Sequence, residues 1–172
     1  MPTNSNLFRR YMNPIFVETG SYIGMGIQEA LDAGFNKVYS IELSDFYYNI
    51  CVKKFKNNEN VHLIKGDSSE VLYDLIKNID ENITFWLDGH YSEGDTALGK
   101  MWSPLMLELE SIKKHKINTH TIIIDDMRCW KISSEYNFCV DDITKKLYEI
   151  NNNYELIYED GFVSNDILIA KI

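Results

Sequence analysis

Acidic residues recur at one kind of place in this chain: Glu18, Glu42, Asp67, Asp88 and the pair Asp125-Asp126 each follow a short run of Ile, Val, Phe, Tyr or Leu. A carboxylate can accept hydrogen bonds from hydroxyls and amines, and it can hold a hard cation. A single acid beyond an apolar run is explained by capping of the next helix. A series of five in order asks for more. Asp88, Asp125 and Asp126 supply three hard oxygen donors of the kind that suits Mg²⁺ or a similar divalent ion. Adjacent carboxylates repel unless a cation or hydrogen bonds compensate. The alternative is that one of the pair faces solvent and the other caps a helix. His90 lies two residues after Asp88, and an imidazole that is neutral near pH 7 can act as a general base. Its surroundings, Asp88-Gly89-His90-Tyr91-Ser92-Glu93-Gly94-Asp95-Thr96, form a polar loop of the type that carries function. His62, His115 and His120 have no such setting and read as structural. Lys100 and Trp102 stand to close one side of the same mouth, and Arg128 and Trp130 to contact a substrate from the other.

Glu18 opens a further segment, Glu18-Thr19-Gly20-Ser21-Tyr22-Ile23-Gly24-Met25-Gly26. Gly20 permits a tight turn and Gly24 lets backbone approach a ligand closely. The same loop also suits a plain strand-to-helix turn. It is not Gly-x-Gly-x-x-Gly, so it gives little support to a dinucleotide pyrophosphate. Glu42 comes 18 residues after Gly24, where an acid can accept from both hydroxyls of a ribose. Its other reading is capping, together with Ser44 or Asp45. Asp67, in Lys65-Gly66-Asp67-Ser68, can accept from an adenine amino group or cap the following helix.

These acids need a frame to hold them together. β-Prone runs occupy 15–18, 37–41, 61–65, 83–87, 121–124, 154–160 and 165–171. Segments with helical spacing lie at 26–33, 46–55, 69–79, 103–114 and 140–151. Ser69 or Ser68 is placed to cap the third of these, with Glu70 in its first turn. Strand–helix alternation predicts right-handed crossovers and a mostly parallel sheet with helices on both faces. The run Thr121-Ile122-Ile123-Ile124 suits a central strand covered on both sides. Only residues 161–164 separate the last two strands, so they are expected to form an antiparallel hairpin. In such a sheet ligands bind beyond the carboxyl ends of the strands, where the acids cluster.

The chain of 172 residues, 45% hydrophobic and 25% charged, fits one globular domain spanning 1–172. No window approaches the roughly 20 apolar residues of a membrane span, and the N-terminus lacks a signal-peptide core. Three cysteines, Cys51, Cys129 and Cys139, with no Cys-x-x-Cys spacing, argue against a disulfide framework or thiolate zinc site. The expected setting is cytoplasmic. A net charge of −9 argues against a nucleic-acid partner. The lysines at 53, 54 and 56 and at 113, 114 and 116 read as solvated helix faces. The stretch 102–109 reads first as a core helix and only second as a homodimer face.

With these residues in view, the chain resembles the class I methyltransferases, Rossmann-like α/β proteins that bind S-adenosylmethionine (SAM). Their sheet also ends in an antiparallel strand. The loop Gly20-Ser21-Tyr22-Ile23-Gly24, preceded by Glu18, resembles that of catechol O-methyltransferase and its relatives, which have Gly-x-Tyr-x-Gly where most methyltransferases have Gly-x-Gly-x-Gly. Asp88 and Asp125-Asp126 match positions where metal-dependent O-methyltransferases hold Mg²⁺. The macrocin-type sugar O-methyltransferases have Asp-Asp at the pair, and an acid at the place of His90 is proposed as their base. The resemblance implies SAM across Glu18, Gly20, Ser21, Tyr22, Gly24, Glu42, Asp67, Ser68 and Asp88. It implies metal on Asp88, Asp125 and Asp126, with Asp88 and His90 acting on a hydroxyl of a small molecule such as a sugar. Two departures stand out. Tyr91 occupies the place of the catechol enzymes' catalytic lysine. Only about 14 residues precede the first strand, where relatives carry several covering helices, so the alternatives are a more open site, loop 91–104 as the lid, or a cap from a second subunit. The alternatives are a non-catalytic SAM-binding or partner-binding module, a nucleobase N-methyltransferase and an NAD-binding module. The nucleobase enzymes carry an Asn/Asp-Pro-Pro-Tyr-like turn, here replaced by Asp88-Gly89-His90-Tyr91.

Overall fold

In the computed structural model, which describes residues 5–91, 97–131 and 137–172, all seven expected strands are present. They are β1 (Ile15–Thr19), β2 (Val38–Glu42), β3 (Val61–Lys65), β4 (Ile83–Leu87), β5 (Thr121–Ile124), β6 (Glu155–Glu159) and β7 (Ile167–Lys171). They form one sheet in the order β3-β2-β1-β4-β5-β7-β6. The first five pair in parallel, and β7 is antiparallel to both β5 and β6. The chain therefore reverses direction between β1 and β4, and this switch point opens a crevice at their carboxyl ends.

The helices are α1 (Ser5–Arg10), α2 (Met25–Ala33), α3 (Asp45–Phe55), α4 (Ser68–Ile76), α5 (Leu105–Lys113) and α6 (Val140–Ile150), with a 3₁₀ turn at Met127–Lys131. Strand side chains alternate between two cores. Ile15, Val17, Phe85, Leu87, Ile122 and Ile124 pack with Leu72 of α4, Leu109 of α5 and Leu147 of α6. Phe16, Trp86, Ile123 and Ile169 pack with Phe8 of α1, Ile27 of α2 and Cys51 of α3. Every residue of β1 and β4 is buried, as a central strand covered on both faces requires. Leu105 and Leu109 are core residues, which fits the first reading of the stretch 102–109.

Two elements go beyond the sequence reading. Residues before β1 form the short helix α1, and its Phe8 ring lies 4.9 Å from Phe16 and 5.1 Å from Trp86. This N-terminal helix fills the core on the α2 and α3 face. The 3₁₀ turn after β5 buries Trp130, whose ring stacks on Phe138 at 5.1 Å. Of the candidate caps of α4, Asp67 takes the position and Ser68 and Ser69 do not; its carboxylate accepts from Ser69 N and Ser69 Oγ. Ser68 is already the first helical residue, and its hydroxyl is turned to another partner. No helix among the described residues is long and apolar enough to cross a membrane.

Candidate active site

A cavity of about 380 Å³ opens at the carboxyl ends of β1, β2, β3 and β4, within the size range of small-molecule sites. Its wall includes Gly20, Tyr22, Glu42, Asp67, Ser68, Asp88 and His90, all expected from the sequence. Gly89 and Met101, from the segments expected at the mouth, also line it, as do Leu43 and Tyr47, which were not foreseen.

The loop after β1 is shaped by left-handed backbone at Gly20 (φ 85°), Tyr22 (φ 48°) and Gly24 (φ 73°). A non-glycine residue in this region costs energy and persists only when its surroundings enforce it. Here α3 enforces it. Cys51 Sγ donates to the Tyr22 carbonyl (3.3 Å), and Lys54 Nζ donates to the carbonyls of Ile23 and Gly24 (3.1 Å each). The Tyr22 ring leans on Tyr47 at 4.4 Å.

Three residues expected at the cofactor lie behind this loop instead of lining the cavity. Glu18 is buried, accepts from Ser40 Oγ, and sits where a Cβ on Gly26 would be 1.8 Å from its Oε1. Burial pushes its carboxyl up to about 8, against the lowering effect of Ser40. Ser21 is buried against Ser40, with 2.5 Å between the hydroxyl oxygens. Gly24 faces the Phe55 ring, 2.6 Å from where its Cβ would stand. These three shape the loop from within, because the left-handed turns aim it backwards onto β2 and α3.

Glu42 is held from both sides. Its Oε2 accepts from Tyr22 N (2.9 Å) and its Oε1 from Ser44 N (2.6 Å), while Ser44 itself caps α3. Asp67 faces the segment returning from the loop after β4. A Cβ on Gly99 would be 2.7 Å from Asp67 Oδ2, and Lys100 pairs with Glu70. Tyr91 and Trp102 clamp the ends of that segment, with a 2.8 Å backbone hydrogen bond and rings 5.1 Å apart. Ala97, Gly99 and Met101 line the cavity, so the described part of 91–104 covers it. Positions 92–96 of the proposed loop lie outside the described residues.

At the other end His90 stands between two acids. Its Nε2 is 3.2 Å from Asp126 Oδ2 and its Nδ1 is 3.6 Å from Asp88 Oδ1. The Trp130 ring meets it edge-on at 5.7 Å. Burial holds the imidazole below its ordinary range, the Asp126 carboxylate opposes that, and Arg128 adds to it. Asp126 takes a left-handed conformation (φ 59°). Its Oδ1 is 2.5 Å from Arg128, which also pairs with the buried Asp166. Asp166 Oδ1 accepts from Arg128 N and its carbonyl accepts from Met127 N, so the β6–β7 hairpin fixes the turn carrying Asp126. Sequence reading did not single out Asp166.

The expected metal triad is regrouped. Among the described residues, Asp125 and Asp126 come together with Asp166, and Asp126 also with His90 and Cys129. Asp88 lies across the His90 ring from Asp126. The donor chemistry still fits an oxygen-preferring divalent cation. Burial, and then the charges of Asp125 and Asp126, push the Asp88 carboxyl well up. Burial and the neighbouring Asp126 push Asp125 up to about 7. A cation at this strand end would relieve that repulsion.

No protein-family model matches the chain, and no curated protein matches it. Solved structures do. An O-methyltransferase from Bacillus cereus in complex with SAH shares 12% identity over 98% of this chain and 78% of its own, with a TM-score of 0.63. An SAH-bound methyltransferase from Podospora anserina gives 12%, 97%, 75% and 0.63. An rRNA methylase from Streptococcus thermophilus gives 13%, 99%, 98% and 0.61. At such identities the likeness is one of fold, and it agrees with the strand order and the terminal hairpin. The chain has the Rossmann-like α/β fold, with its terminal antiparallel hairpin, that these methyltransferases have.

Proposed function

We propose that this chain is a SAM-dependent methyltransferase acting on a hydroxyl of a small molecule. The observation that carries the reading is the cavity itself, which joins the Gly20–Tyr22 turn, the Glu42 carboxylate and His90 on one continuous wall. SAM fits along it. Glu42 would accept from the ribose hydroxyls while Tyr22 N and Ser44 N fix its orientation. Asp67 and Ser68 would meet the adenine, with Leu43 and Met101 beside the ring. The methionine end would lie along the Gly20 turn toward Asp88.

In the reaction the acceptor oxygen attacks the methyl carbon in line, and the carbon–sulfur bond breaks. The sulfonium becomes the neutral thioether S-adenosylhomocysteine (SAH), and the hydroxyl proton passes to His90. A neutral imidazole is available because burial opposes its protonation. Once protonated it has the Asp126 carboxylate facing one nitrogen and the Asp88 carboxyl group facing the other. Much of the acceleration comes from holding oxygen, methyl and sulfur in line. A divalent cation held at Asp125 and Asp126, with Asp88 facing it across His90, would lower the pKa of the bound hydroxyl. Sugars and catechols are the acceptors to screen first.

A second reading, methylation of a base in RNA, takes its support from the rRNA methylases among the similar solved structures. The net charge of −9 opposes it.

The first test is thermal melting with SAM, SAH and NAD, each with and without Mg²⁺. A ligand at 100 times its Kd adds about 2.7 kcal/mol of stability. SAM and SAH should raise the Tm and NAD should not. A matching shift with NAD, or none with SAH, overturns the cofactor assignment. With the cofactor established, labelled-methyl transfer to small hydroxylated acceptors and to RNA separates the two readings. His90→Gln should then lower transfer by about 10²–10⁴-fold with SAH binding unchanged. Intact transfer in His90→Gln removes it as the base, and intact transfer in Asp88→Ala and Asp125→Ala removes the metal.

A further inference from the structure

The mechanism above leaves one buried acid unused. Glu108 lies on α5 with Leu105, Leu109 and Ile112, on the face turned to the core, and is itself buried. A carboxylate on such a face is costly unless it is hydrogen-bonded. Its partner is Ser68, whose Oγ donates to Glu108 Oε1 at 2.5 Å. Ser68 is the first residue of α4 and lines the cavity, next to Asp67. Glu108 also lies beneath Gly89, where a Cβ would stand 3.2 Å from its Oε1. The acid is therefore built into the floor under the wall where the adenine is placed.

A serine hydroxyl has one proton and two lone pairs. Because its proton is committed backwards to Glu108, Ser68 has only acceptor capacity left for a ligand. The neighbouring Asp67 carboxylate is an acceptor as well. Its Oδ1 is occupied by Ser69 N and Ser69 Oγ, while Oδ2, which lies toward Gly99 at the cavity wall, accepts only a long 3.4 Å hydrogen bond from Lys100 N and keeps a lone pair for a ligand. The wall thus offers two adjacent acceptors and calls for a donor on the ligand. The 6-amino group of adenine is such a donor. The 6-oxo group of hypoxanthine is an acceptor and would face lone pairs with lone pairs.

We propose that Glu108 is a specificity-determining positioning residue, which fixes Ser68 as a hydrogen-bond acceptor so that the cavity selects a 6-aminopurine over a 6-oxopurine. This rests on the SAM-site reading above. Ser68 touches the ligand and Glu108 acts through it. Leaving a buried polar group facing the wrong partner is what gives such sites their discrimination. Burial pushes the Glu108 carboxyl up to about 7, with Ser68 holding it down. Binding is therefore compared at pH 8, where the carboxylate has no proton to give and Ser68 must be the donor.

The experiment is calorimetric titration of the wild type, Glu108→Gln, Glu108→Met and Ser68→Ala with SAH and with its deaminated analogue, S-inosylhomocysteine. Wild type should prefer SAH by at least about tenfold. Glu108→Gln keeps an amide oxygen to accept from Ser68 and should keep the preference. Glu108→Met frees the Ser68 proton to turn into the cavity and should lower the preference about tenfold, chiefly by improving binding of the analogue. Ser68→Ala should lower it too, and it stands alone if Glu108→Met does not fold. Equal affinity of wild type for the two ligands overturns the proposal while leaving the SAM-site reading in place. So does an undiminished preference in Ser68→Ala. Failure of wild type to bind SAH overturns both.

Discussion

A Cβ atom on Gly20 would fall 2.5 Å from the carbonyl oxygen of Asp88. The turn leaving β1 and the turn leaving β4 touch at this point, and the cavity opens directly beyond it. Gly20 also has a φ of 85°, where a side chain is strained whatever the space. Gly20→Ala should therefore both strain its own turn and push Asp88 away. The left-handed backbone alone costs about 1–2 kcal/mol. The expected outcome is a Tm several degrees lower and loss of the SAH-induced rise, read in one melting experiment. A variant that melts like wild type and still responds to SAH would mean that this contact does not set the cavity.

Glu42 has both carboxylate oxygens engaged by backbone N–H groups, from Tyr22 and from Ser44. This ties the turn after β1 to the start of α3, and in the proposed SAM site the ribose would lie between them. Glu42→Gln loses an acceptor at one of these N–H groups and weakens the other bond by removing the charge. SAH affinity should fall by tenfold or more. The melting temperature without ligand should fall by no more than a few degrees, since the carboxylate is at the cavity wall. Calorimetric titration with SAH measures the first effect. An unchanged affinity would place the ribose elsewhere.

The sequence carried the sheet well, because alternation of apolar runs with helical segments is a local signal. β3, β4 and β5 match their expected bounds, and the hairpin followed from the shortness of residues 161–164. The short helix α1 was missed because six residues with two buried side chains make no periodic pattern. At the site, acids on strand ends were legible, but which way each one faces was not. Glu18 and Asp67 both read as strand-end acids, yet Glu18 is still inside β1 and shares the buried side of Phe16, while Asp67 lies two residues beyond β3 and caps a helix at the cavity wall. One residue of strand end decides between those two outcomes, and strand ends are the least legible part of a sequence. Asp166 was invisible because its role comes from pairing β7 with β5. Glu108 did leave a trace: an acid spaced with Leu105, Leu109 and Ile112 on an apolar helix face.

Asp125 is a buried acid beside Asp126; burial, and then the charge of Asp126, push its carboxyl up to about 7. At pH 8 it is held ionised at a cost to the fold. Asp125→Asn keeps the oxygen that accepts from Asp126 N but removes the charge. In metal-free buffer at pH 8 the variant should be as stable as wild type or more stable. Millimolar Mg²⁺ or Mn²⁺ should raise the Tm of wild type and leave that of Asp125→Asn unchanged. Equal metal responses in the two proteins would remove Asp125 from any cation site.

The opposite end of the sheet carries a separate acid-sensitive contact. His120 Nδ1 accepts from Ile83 N at 3.0 Å, which leaves the proton on Nε2. That atom is 2.8 Å from His115 Nδ1, and His115 Nε2 is 3.1 Å from the Ile79 carbonyl. One neutral tautomer of each ring satisfies the whole chain. Protonating His120 at Nδ1 turns its acceptor into a donor facing the Ile83 N–H. Burial, and then the adjacent His115, lower its value from 6.5 to about 4. The unfolded chain therefore takes up this proton first. The stability His120 contributes is complete above pH 6.5 and is lost as pH falls from there through 4. The loss is on the order of 3 kcal/mol in all. Glu18, Glu108 and Asp125 have raised values and shift stability in the other direction over overlapping pH ranges. The measurement is therefore a difference. His120→Asn keeps an acceptor near Ile83 N and cannot titrate. Urea unfolding at pH 7.5, 5.5 and 4.5 should show wild type losing ground to His120→Asn as the pH falls. Parallel stability profiles would mean that the proton enters the pair without breaking the contact to β4.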